Sequence, residues 1–287
     1  MKIESKTINS SKKTVALEDC RFYAVQEIPG LREPTKGEWD LRKNVDKYLG
    51  NVDFKDKTVL ELGPASGCLT FEIENRGGAV TSIELSLKED MWDVVPNCTH
   101  DWKKEEKEHR ENDLKFVQNA FWFAHKAFNS NARVIYSNAK NITSDIGLYD
   151  ISLMGSVLLH LQNPFLALQN MLCVTKEKAI ITDLMPTGNR TYNSIIIRLL
   201  PKAIQRMIKK IRVNMGGPYA EFLPGSNDIH MFAWWLISPQ TIVNIAKIFG
   251  FEKTKVLYHV QYQNGNPVDL YTVICERTIP IEDCNYK

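Results

Sequence analysis

Two acidic residues each end a run of apolar residues in the first third of the chain. Glu61 and Glu84 stand in the segment TVLELGPASGCLTFEIENRGGAVTSIELS, which covers residues 58–86. Between them come a turn of small residues and a helical stretch that ends at Gly77 and Gly78. This strand–turn–helix–strand order is a βαβ unit and predicts a parallel sheet. Ligands bind such sheets at the carboxyl ends of the strands, where an acid suits hydrogen bonding to ribose hydroxyls. The segment therefore predicts a site for a nucleoside-containing ligand.

The turn after Glu61 distinguishes between nucleoside ligands. A dinucleotide fingerprint needs G-x-G-x-x-G, but Ala65 and Cys68 occupy its second and third positions counted from Gly63. Pro64 also removes one backbone N–H from a loop that would hold a pyrophosphate. The small residues suit a ligand without phosphates, and the carboxylate of Glu61 suits a positively charged amino group on it. An NAD enzyme is therefore disfavoured.

The elements that would position these residues follow from the apolar periodicity of the chain. It predicts seven strands, at residues 57–63, 79–85, 132–139, 149–161, 178–185, 252–262 and 268–278. It predicts helices in TKGEWDLRKNVDKYLGNVDF, which holds Trp39 and Leu49, and at residues 112–130, 163–175 and 238–251. Residues 1–30 indicate an irregular lead-in, and the charge run KKEEKEHRE indicates a solvated helix face or a loop.

Five segments in this order resemble the motifs of class I S-adenosylmethionine (SAM) dependent methyltransferases. VLELGPASG resembles the first motif, whose usual form is a D/E-x-G-x-G-x-G turn, SIELS the second and SNAKNI the third. YDISLMGSVLLHLQNPFLALQNM is similar to the fourth motif with its helix, and SPQTIVNIAKIFGFEKTKV to the penultimate helix and strand. GEWDLRKNVDKYLGNVDFKDKTVLELG and GSVLLHLQNP look most like a branch that includes tRNA wobble-uridine carboxymethyltransferases and natural-product and sugar methyltransferases.

The resemblance implies an α/β fold over residues from about 55 to 276. We expect a Rossmann-like, mostly parallel sheet of seven strands with helices on both faces, the last strand antiparallel. The basic, amphipathic stretch IIIRLLPKAIQRMIKKIR interrupts the pattern and is interpreted as an inserted helical cap. The expected divisions are a lead-in and helix, a SAM-binding core, a cap over the acceptor site and the C-terminal part of the core, at residues 1–54, 55–185, 186–232 and 233–287.

The resemblance also implies the residues that contact SAM. Gly63, Ala65 and Gly67 would pass under its methionine part, with Glu61 near the amino group, and Glu84 would bind both ribose hydroxyls. Ala65 replaces the middle glycine of the motif, which is tolerable if its backbone angle φ stays negative. The alternative for Glu61 is a role as the partner of a helix dipole only. The alternative for Glu84 is that of a surface acid that ends a strand.

The other implied contacts come from later strands and from the region before the first one. Asn138 and Ala139 would flank adenine, although Asn138 stands where many relatives carry aspartate; the alternative role of Asn138 is that of a turn former. Gly155 and Ser156 would end the fourth strand beside the sulfonium. The predicted N-terminal helix, with Trp39 and Arg42, would close over SAM. A surface role is the alternative for Arg42.

The acceptor is poorly encoded, because methyl transfer from a sulfonium depends mostly on proximity and orientation. A general base is needed only if the acceptor is a hydroxyl or a protonated amine. The candidate catalytic residues are His160 and His230, while His125 has helical spacing and a structural interpretation. The candidates for acceptor binding lie in or beside the cap: Tyr219, Glu221 and Trp235.

Charge favours a small-molecule acceptor over tRNA. The formal net charge is +2, and the basic cluster is confined to the cap, at Lys202, Arg206, Lys209, Lys210 and Arg212. An RNA-modifying enzyme and a catalytically silent SAM-binding regulator are the alternatives. The N-terminus has no signal-peptide pattern, no run of eighteen apolar residues occurs and the six cysteines are scattered. We therefore expect a cytoplasmic protein with no metal site and no membrane span; the oligomeric state stays open.

Overall fold

The structure is a computed structural model that describes residues 15–87, 93, 95–96, 101–186, 200–215, 217–225 and 232–284. A nine-stranded sheet forms its centre. In chain order, the strands of the structure are β1 (Phe22–Ala24), β2 (Gly37–Asp40), β3 (Thr58–Leu62), β4 (Ala79–Glu84), β5 (Arg133–Tyr136), β6 (Tyr149–Gly155), β7 (Thr175–Leu184), β8 (Ala220–Phe222), β9 (Trp235–Ile237), β10 (Lys253–Gln263) and β11 (Asn266–Glu276).

The α-helices surround the sheet. They are α1 (Val45–Tyr48), α2 (Cys68–Asn75), α3 (Trp102–His109), α4 (Lys115–Ala127), α5 (Pro164–Cys173), α6 (Lys202–Met215) and α7 (Pro239–Ile248). Two begin as the sequence predicts: the side chain of Asn163 accepts a hydrogen bond from the Leu166 N–H before α5, and that of Ser238 from the Thr241 N–H before α7. None of the helices in these described ranges is long and apolar enough to span a membrane.

The strand order confirms the predicted Rossmann-like α/β fold. The sheet runs β1-β2-β10-β11-β7-β6-β3-β4-β5, and the five strands from β7 to β5 are parallel to one another. Numbered along the chain, these five have the order 3-2-1-4-5 of doubly wound nucleotide-binding sheets. The last strand, β11, is antiparallel to both β7 and β10, as predicted. The turn between β10 and β11 consists of Asn264 and Gly265, both with positive φ, which is the pairing that a two-residue hairpin prefers.

Four strands were not predicted, so the prediction of seven strands is incomplete. β1 lies in the supposed irregular lead-in, and β8 and β9 form a separate two-stranded sheet. The predicted helix around Trp39 is wrong at its start, because residues 37–40 form β2 and only Val45–Tyr48 are α-helical. Gly37 pairs with Phe22 of β1 at a close approach, where an added Cβ would lie 2.3 Å from the Ala24 carbonyl carbon. Pairing with a distant strand overrides the local periodicity here.

The core consists of layers on the two faces of the sheet. Along β3, Leu60 and Leu62 belong to the cluster that packs against α5 and α7, while Val59 belongs to the cluster on the side of α1 and α2. Alternate residues of a strand point to opposite faces, which explains this division. Helices on both faces are therefore present, as predicted, and they leave the carboxyl ends of the parallel strands as the edge at which a site can form.

The charge run KKEEKEHRE lies in a helix. The carboxylate of Asp101 accepts a hydrogen bond from the Lys104 N–H at the start of α3. α3 then continues through a five-residue π-helical segment, Arg110–Leu114, directly into α4. Such π-helical insertions are frequent at functional sites because they change which side chains share a face.

Candidate functional site

A cavity of about 250 Å³ lies at the carboxyl ends of the parallel strands. Side chains and backbone from the ends of β3, β4, β5 and β6 line it. Eight of the predicted site residues lie in its wall: Gly63, Ala65, Glu84, Asn138, Ala139, Gly155, Ser156 and His160. A cavity of about 60 Å³ adjoins it and adds two more, Glu61 and Trp39. A larger open groove of about 740 Å³, near the starts of β3 and β4, holds none of the predicted residues.

The turn after β3 has a left-handed backbone at three positions. The φ angles of Gly63, Ala65 and Gly67 are 72°, 49° and 84°. A Cβ at Gly63 would lie 2.7 Å from Cγ2 of Val157, so this position also requires close approach of the backbone. The condition that φ of Ala65 stays negative is not met, because the turn keeps the conformation of a glycine although an alanine occupies it. Gly67 lines neither cavity and precedes α2 as its N-cap residue.

We expect Ala65→Gly to raise the free energy of unfolding by about 0.5–1 kcal/mol. A non-glycine residue in the left-handed region costs about 1–2 kcal/mol, part of which the greater freedom of glycine in the unfolded chain offsets. Urea unfolding checks this result. The control is Ala139→Gly, at a position of the same cavity whose φ is not positive. Equal destabilisation by the two substitutions would show that the left-handed conformation of Ala65 stores no strain.

Glu84 is a buried carboxyl group at the end of β4. Its Oε1 accepts a hydrogen bond of 2.7 Å from the Leu85 N–H. Burial raises its pKa from 4.5 to about 7, against the lowering effect of the backbone N–H groups of Leu85 and Ala65. A carboxyl group whose surroundings only partly stabilise its charge is suited to accept further hydrogen bonds from a ligand.

Glu61 is the second buried carboxyl group of the site and lies on β3, one residue before the end of the strand. Its Oε2 accepts hydrogen bonds from Oγ1 of Thr70, at 2.5 Å, and from Oγ of Ser82, at 3.0 Å. Burial raises its pKa to about 7, while the two hydroxyl groups lower it. The bond with Thr70 of α2 fixes this carboxyl group in the wall of the smaller cavity.

The end of β6 closes the site on its other side. Ser156 has φ of 54°, and its Oγ lies 3.1 Å from the hydroxyl oxygen of Tyr48. A Cβ at Gly155 would lie 2.9 Å from the Tyr48 ring, so only glycine leaves room there. Asn138 both lines the cavity and forms a turn, because its Oδ1 accepts a hydrogen bond of 3.1 Å from the Lys140 N–H. Asn138 therefore forms a turn and lies in the cavity wall at the same time.

His160 lies in the cavity wall, and its Nδ1 nitrogen contacts a backbone carbonyl group. Its Nδ1 is 2.5 Å from the carbonyl oxygen of Phe232. Because a carbonyl oxygen only accepts hydrogen bonds, Nδ1 carries the hydrogen and Nε2 is the nitrogen of the neutral ring that can take a proton. Burial lowers the pKa of His160 below 6.5. The ring is therefore neutral at physiological pH, which is the form that a general base requires.

Several polar residues of the cavity wall escaped the sequence analysis, among them His109, Asp113, Arg21 and Tyr23. His109 is 3.0 Å from Asp113 through its Nδ1 and Oδ2 atoms, and Asp113 forms an ion pair with Arg21. Tyr23, on β1, lines both cavities. His109 and Asp113 stand four residues apart, and this spacing is visible in the sequence. Arg21 and Tyr23 belong to the aperiodic lead-in, and no local signal indicates that it reaches the site.

The structure does not bring the remaining predicted residues to the cavity. Arg42 lies at the surface, where it pairs with Asp40 and Glu27, in keeping with the alternative surface role. The guanidinium group of Arg42 also holds the pKa of Asp40 below its usual value. The three predicted acceptor-binding residues, Tyr219, Glu221 and Trp235, are absent from the wall of both cavities. Their role stays a prediction, and His230 lies outside the described residues.

Two basic residues of the cap are likewise engaged elsewhere. Arg206 and Lys209 form ion pairs with Asp269 of β11, and neither lines the cavity. Of the adjacent residues Trp234 and Trp235, Trp234 is the buried one, and its Nε1 donates to the carbonyl oxygen of Asp93. Asp93 itself lines the cavity, so Trp234 supports the wall indirectly.

Comparison with known proteins yields matches only among solved structures. No family model matches the chain, and no curated protein does. The N-terminal domain of EvdMO1, determined in the presence of S-adenosylhomocysteine (SAH) and D-fucose, has a TM-score of 0.49 and 14% identity, over 91% of this chain and 93% of that one. Magnesium protoporphyrin IX methyltransferase (ChlM) from Synechocystis PCC 6803 with bound SAH has a TM-score of 0.47 and 12% identity, over 83% and 82% of the two chains. The N-methyltransferase NodS from Bradyrhizobium japonicum WM9 in complex with SAH has a TM-score of 0.44 and 11% identity, over 83% and 85%. At these identities, the residues of the site have to be assigned from the geometry of this chain.

Proposed function

We propose that the protein is a SAM-dependent methyltransferase that transfers a methyl group to an oxygen or nitrogen atom of a small molecule. The observation that carries the proposal is the convergence of eight motif residues, from four strand ends, on one cavity. These residues lie far apart in the sequence, and only the doubly wound sheet brings them to the same edge. The motif resemblance and the cavity are independent of each other and agree on the same residues.

The residues of the cavity fit the chemistry of SAM. Glu84 would accept hydrogen bonds from the two ribose hydroxyls, and Glu61 would face the amino group through the smaller cavity. Asn138 would pair with adenine beside the apolar side chains of Leu114 and Val117, which share the wall. When bound, SAM supplies an electrophilic methyl group on a sulfonium leaving group. The protein contributes orientation and the exclusion of water.

The charge of the cavity argues against a phosphate-containing cofactor. Among the described residues of its wall, Arg21 is the only lysine or arginine, and it is paired with Asp113. Two buried carboxyl groups, Glu61 and Glu84, lie in or beside the cavity and would repel a pyrophosphate. The volume of about 250 Å³ is close to the lower end of the range of about 300–1,000 Å³ that small-ligand sites occupy.

The same geometry supports a small acceptor and a histidine base. Among the described residues, Arg206 and Lys209 are paired with Asp269 and do not line the cavity, which supports a small-molecule acceptor over RNA. His160 presents Nε2 as the nitrogen that would receive a proton from an acceptor hydroxyl or ammonium group. We assign His160 the role of general base and the carboxyl groups the role of binding SAM.

Calorimetric titration of the full chain with SAM, SAH and NAD tests this proposal. We expect SAM and SAH to bind with dissociation constants of roughly micromolar size and NAD to give no heat of binding. A screen of acceptors with SAM labelled in its methyl group follows. Binding of NAD alone would contradict the proposal at the level of the cofactor. Binding of SAM by a chain that transfers no label to any small molecule or RNA would favour the silent regulator.

A further inference from the structure

The smaller cavity beside Glu61 is lined by hydroxyl groups. Among the described residues of its wall there is no lysine, arginine or histidine. The described wall holds four hydroxyl side chains instead: Tyr23, Tyr48, Ser66 and Ser156. Arg42, the predicted cation of this region, pairs at the surface with Asp40 and Glu27. A negatively charged group of a ligand would therefore meet neutral hydroxyl groups in this cavity.

Tyr23 is fixed against the cavity by its neighbours. It lies on β1 and lines both the smaller and the larger cavity. Its backbone N–H donates to Oγ of Ser66, at 3.0 Å, in the turn after β3. Burial raises the pKa of the Tyr23 hydroxyl group, while the indole N–H of Trp39 lowers it. Because the hydroxyl oxygen is the acceptor towards Trp39, the hydroxyl hydrogen is left to donate to a ligand.

Tyr48 and Ser156 supply a second donor. The hydroxyl oxygen of Tyr48 lies 3.1 Å from Oγ of Ser156, and both residues line the smaller cavity. One hydroxyl hydrogen occupies this contact, so the other can be donated to a third group. Burial raises the pKa of the Tyr48 hydroxyl group, which keeps it protonated. Hydroxyl donors from β1, α1 and the end of β6 thus share one cavity wall with the carboxyl group of Glu61.

This combination of an acid and neutral donors fits the amino acid end of SAM. An α-amino acid carries an ammonium group and a carboxylate on the same carbon atom, so the protein groups that bind the two must lie close together. Gly63, Ala65, Gly155 and Ser156 line both cavities, which places the cavities side by side. A ligand whose ribose is bound by Glu84 in the larger cavity can therefore extend its amino acid end into the smaller one.

We propose that Tyr23 and the pair of Tyr48 and Ser156 bind the carboxylate of SAM through hydroxyl hydrogen bonds, without an arginine. This inference rests on the proposed binding of SAM and adds the residues that recognise its carboxylate. An arginine in this cavity would form an ion pair with Glu61 and compete with the ammonium group of the ligand. Neutral hydroxyl groups bind the carboxylate and leave Glu61 to the ammonium group.

Calorimetric titration of the full chain with SAM and with decarboxylated SAM tests the proposal, because a hydrogen atom replaces the carboxylate in the second ligand. We expect the parent protein to bind SAM at least about tenfold more tightly, since hydrogen bonds to a charged group are the stronger ones. Tyr23→Phe should weaken SAM binding about tenfold and leave the affinity for decarboxylated SAM unchanged. Tyr48→Phe should act in the same direction by a smaller factor, because Ser156 can still donate.

Tyr136→Phe is the matched control. The hydroxyl oxygen of Tyr136 accepts a hydrogen bond of 3.0 Å from the indole N–H of Trp122, as that of Tyr23 faces the indole N–H of Trp39. Tyr136 lines neither cavity. We expect the control to bind both ligands as the parent protein does, and thermal unfolding by circular dichroism shows that each variant is folded.

Three results would overturn the proposal. The first is equal affinity of the parent protein for SAM and decarboxylated SAM. The second is an equal loss of affinity for both ligands in Tyr23→Phe, which would give Tyr23 a role in shaping the cavity only. The third is unchanged SAM affinity in both Tyr23→Phe and Tyr48→Phe, which would assign the carboxylate to other donors. A parent protein that binds neither ligand would overturn the proposed function together with this inference, whereas the three results overturn this inference alone.

Discussion

Glu84→Gln is expected to weaken SAM binding by about 30- to 100-fold. The carboxylate of Glu84 would accept hydrogen bonds from both ribose hydroxyls, and bonds to a charged group are worth about 1.5–3 kcal/mol each. Glutamine retains the shape and one acceptor oxygen but loses the charge, and its amide nitrogen cannot accept. Calorimetric titration of SAM at pH 8 measures the change. At this pH, the Glu84 carboxyl group, with its pKa of about 7, is mostly ionised in the parent protein.

The same substitution is expected to stabilise the free protein above pH 7. Burial raises the pKa of Glu84 from 4.5 to about 7, so the folded state holds a proton that the unfolded state releases between these values. The stability that this group contributes is therefore fully present below pH 4.5 and is lost as the pH rises to about 7. By linkage, the loss amounts to up to about 3 kcal/mol. Glutamine cannot ionise, so urea unfolding of Glu84→Gln should depend less on pH over this interval.

Asp183→Asn is the matched control for Glu84→Gln. Asp183 is also buried near the end of a parallel strand, and burial raises its pKa to about 7 as well. It lines neither cavity, and the structure shows no hydrogen-bond partner for its Oδ2 among the described residues. We expect the same gain in stability above pH 7 and unchanged SAM affinity. Equal SAM affinities of Glu84→Gln and the parent protein would remove Glu84 from the binding site.

His160→Gln is expected to lower the rate of methyl transfer by about 10²- to 10⁴-fold with SAM affinity nearly unchanged. This is the contribution of a positioned general base to an acceptor that has a proton to lose. Transfer of labelled methyl groups to an acceptor from the screen measures the rate, and calorimetry measures the affinity. Parallel loss of both would indicate a structural role for His160 through its bond with the Phe232 carbonyl group.

His125→Gln separates the loss of a catalytic histidine from the loss of a packed one. His125 lies on α4, where its Nε2 donates to the carbonyl oxygen of Ala132 and its ring contacts Trp122. We expect a lower unfolding temperature and an unchanged rate per folded molecule.

In the parent protein, the rate of methyl transfer should rise with pH through the pKa of His160, which lies below 6.5, and then level off, because burial favours the neutral base. A rate that still rises above pH 7 would assign the base to another group.

The parallel core and the residues at the strand ends that line the cavity could be predicted from the sequence. Short-range features carry this information. An apolar run, the turn at Gly63 and an acid at each strand end lie within about 30 residues, and their local backbone requirements are strict. Residues at the ends of β4, β5 and β6 could be named for the same reason, since chain direction in a parallel sheet places every such end at one edge.

How the cavity is closed and which predicted residues stay outside it could not be predicted from the sequence. β1 and β2 have weak local signals and pair with each other at Gly37, where only a glycine allows the close approach to the backbone of Ala24. Tyr23 of β1 lines the cavity. The left-handed φ of Ala65 is imposed by the turn as a whole rather than by the alanine. Arg42 pairs with Asp40, two residues before it in the chain. The cap residue Arg206 pairs with Asp269, which lies 63 residues after it. Local sequence fixes which backbone forms, whereas the partner that a long side chain finds depends on contacts between segments that the sequence does not place side by side.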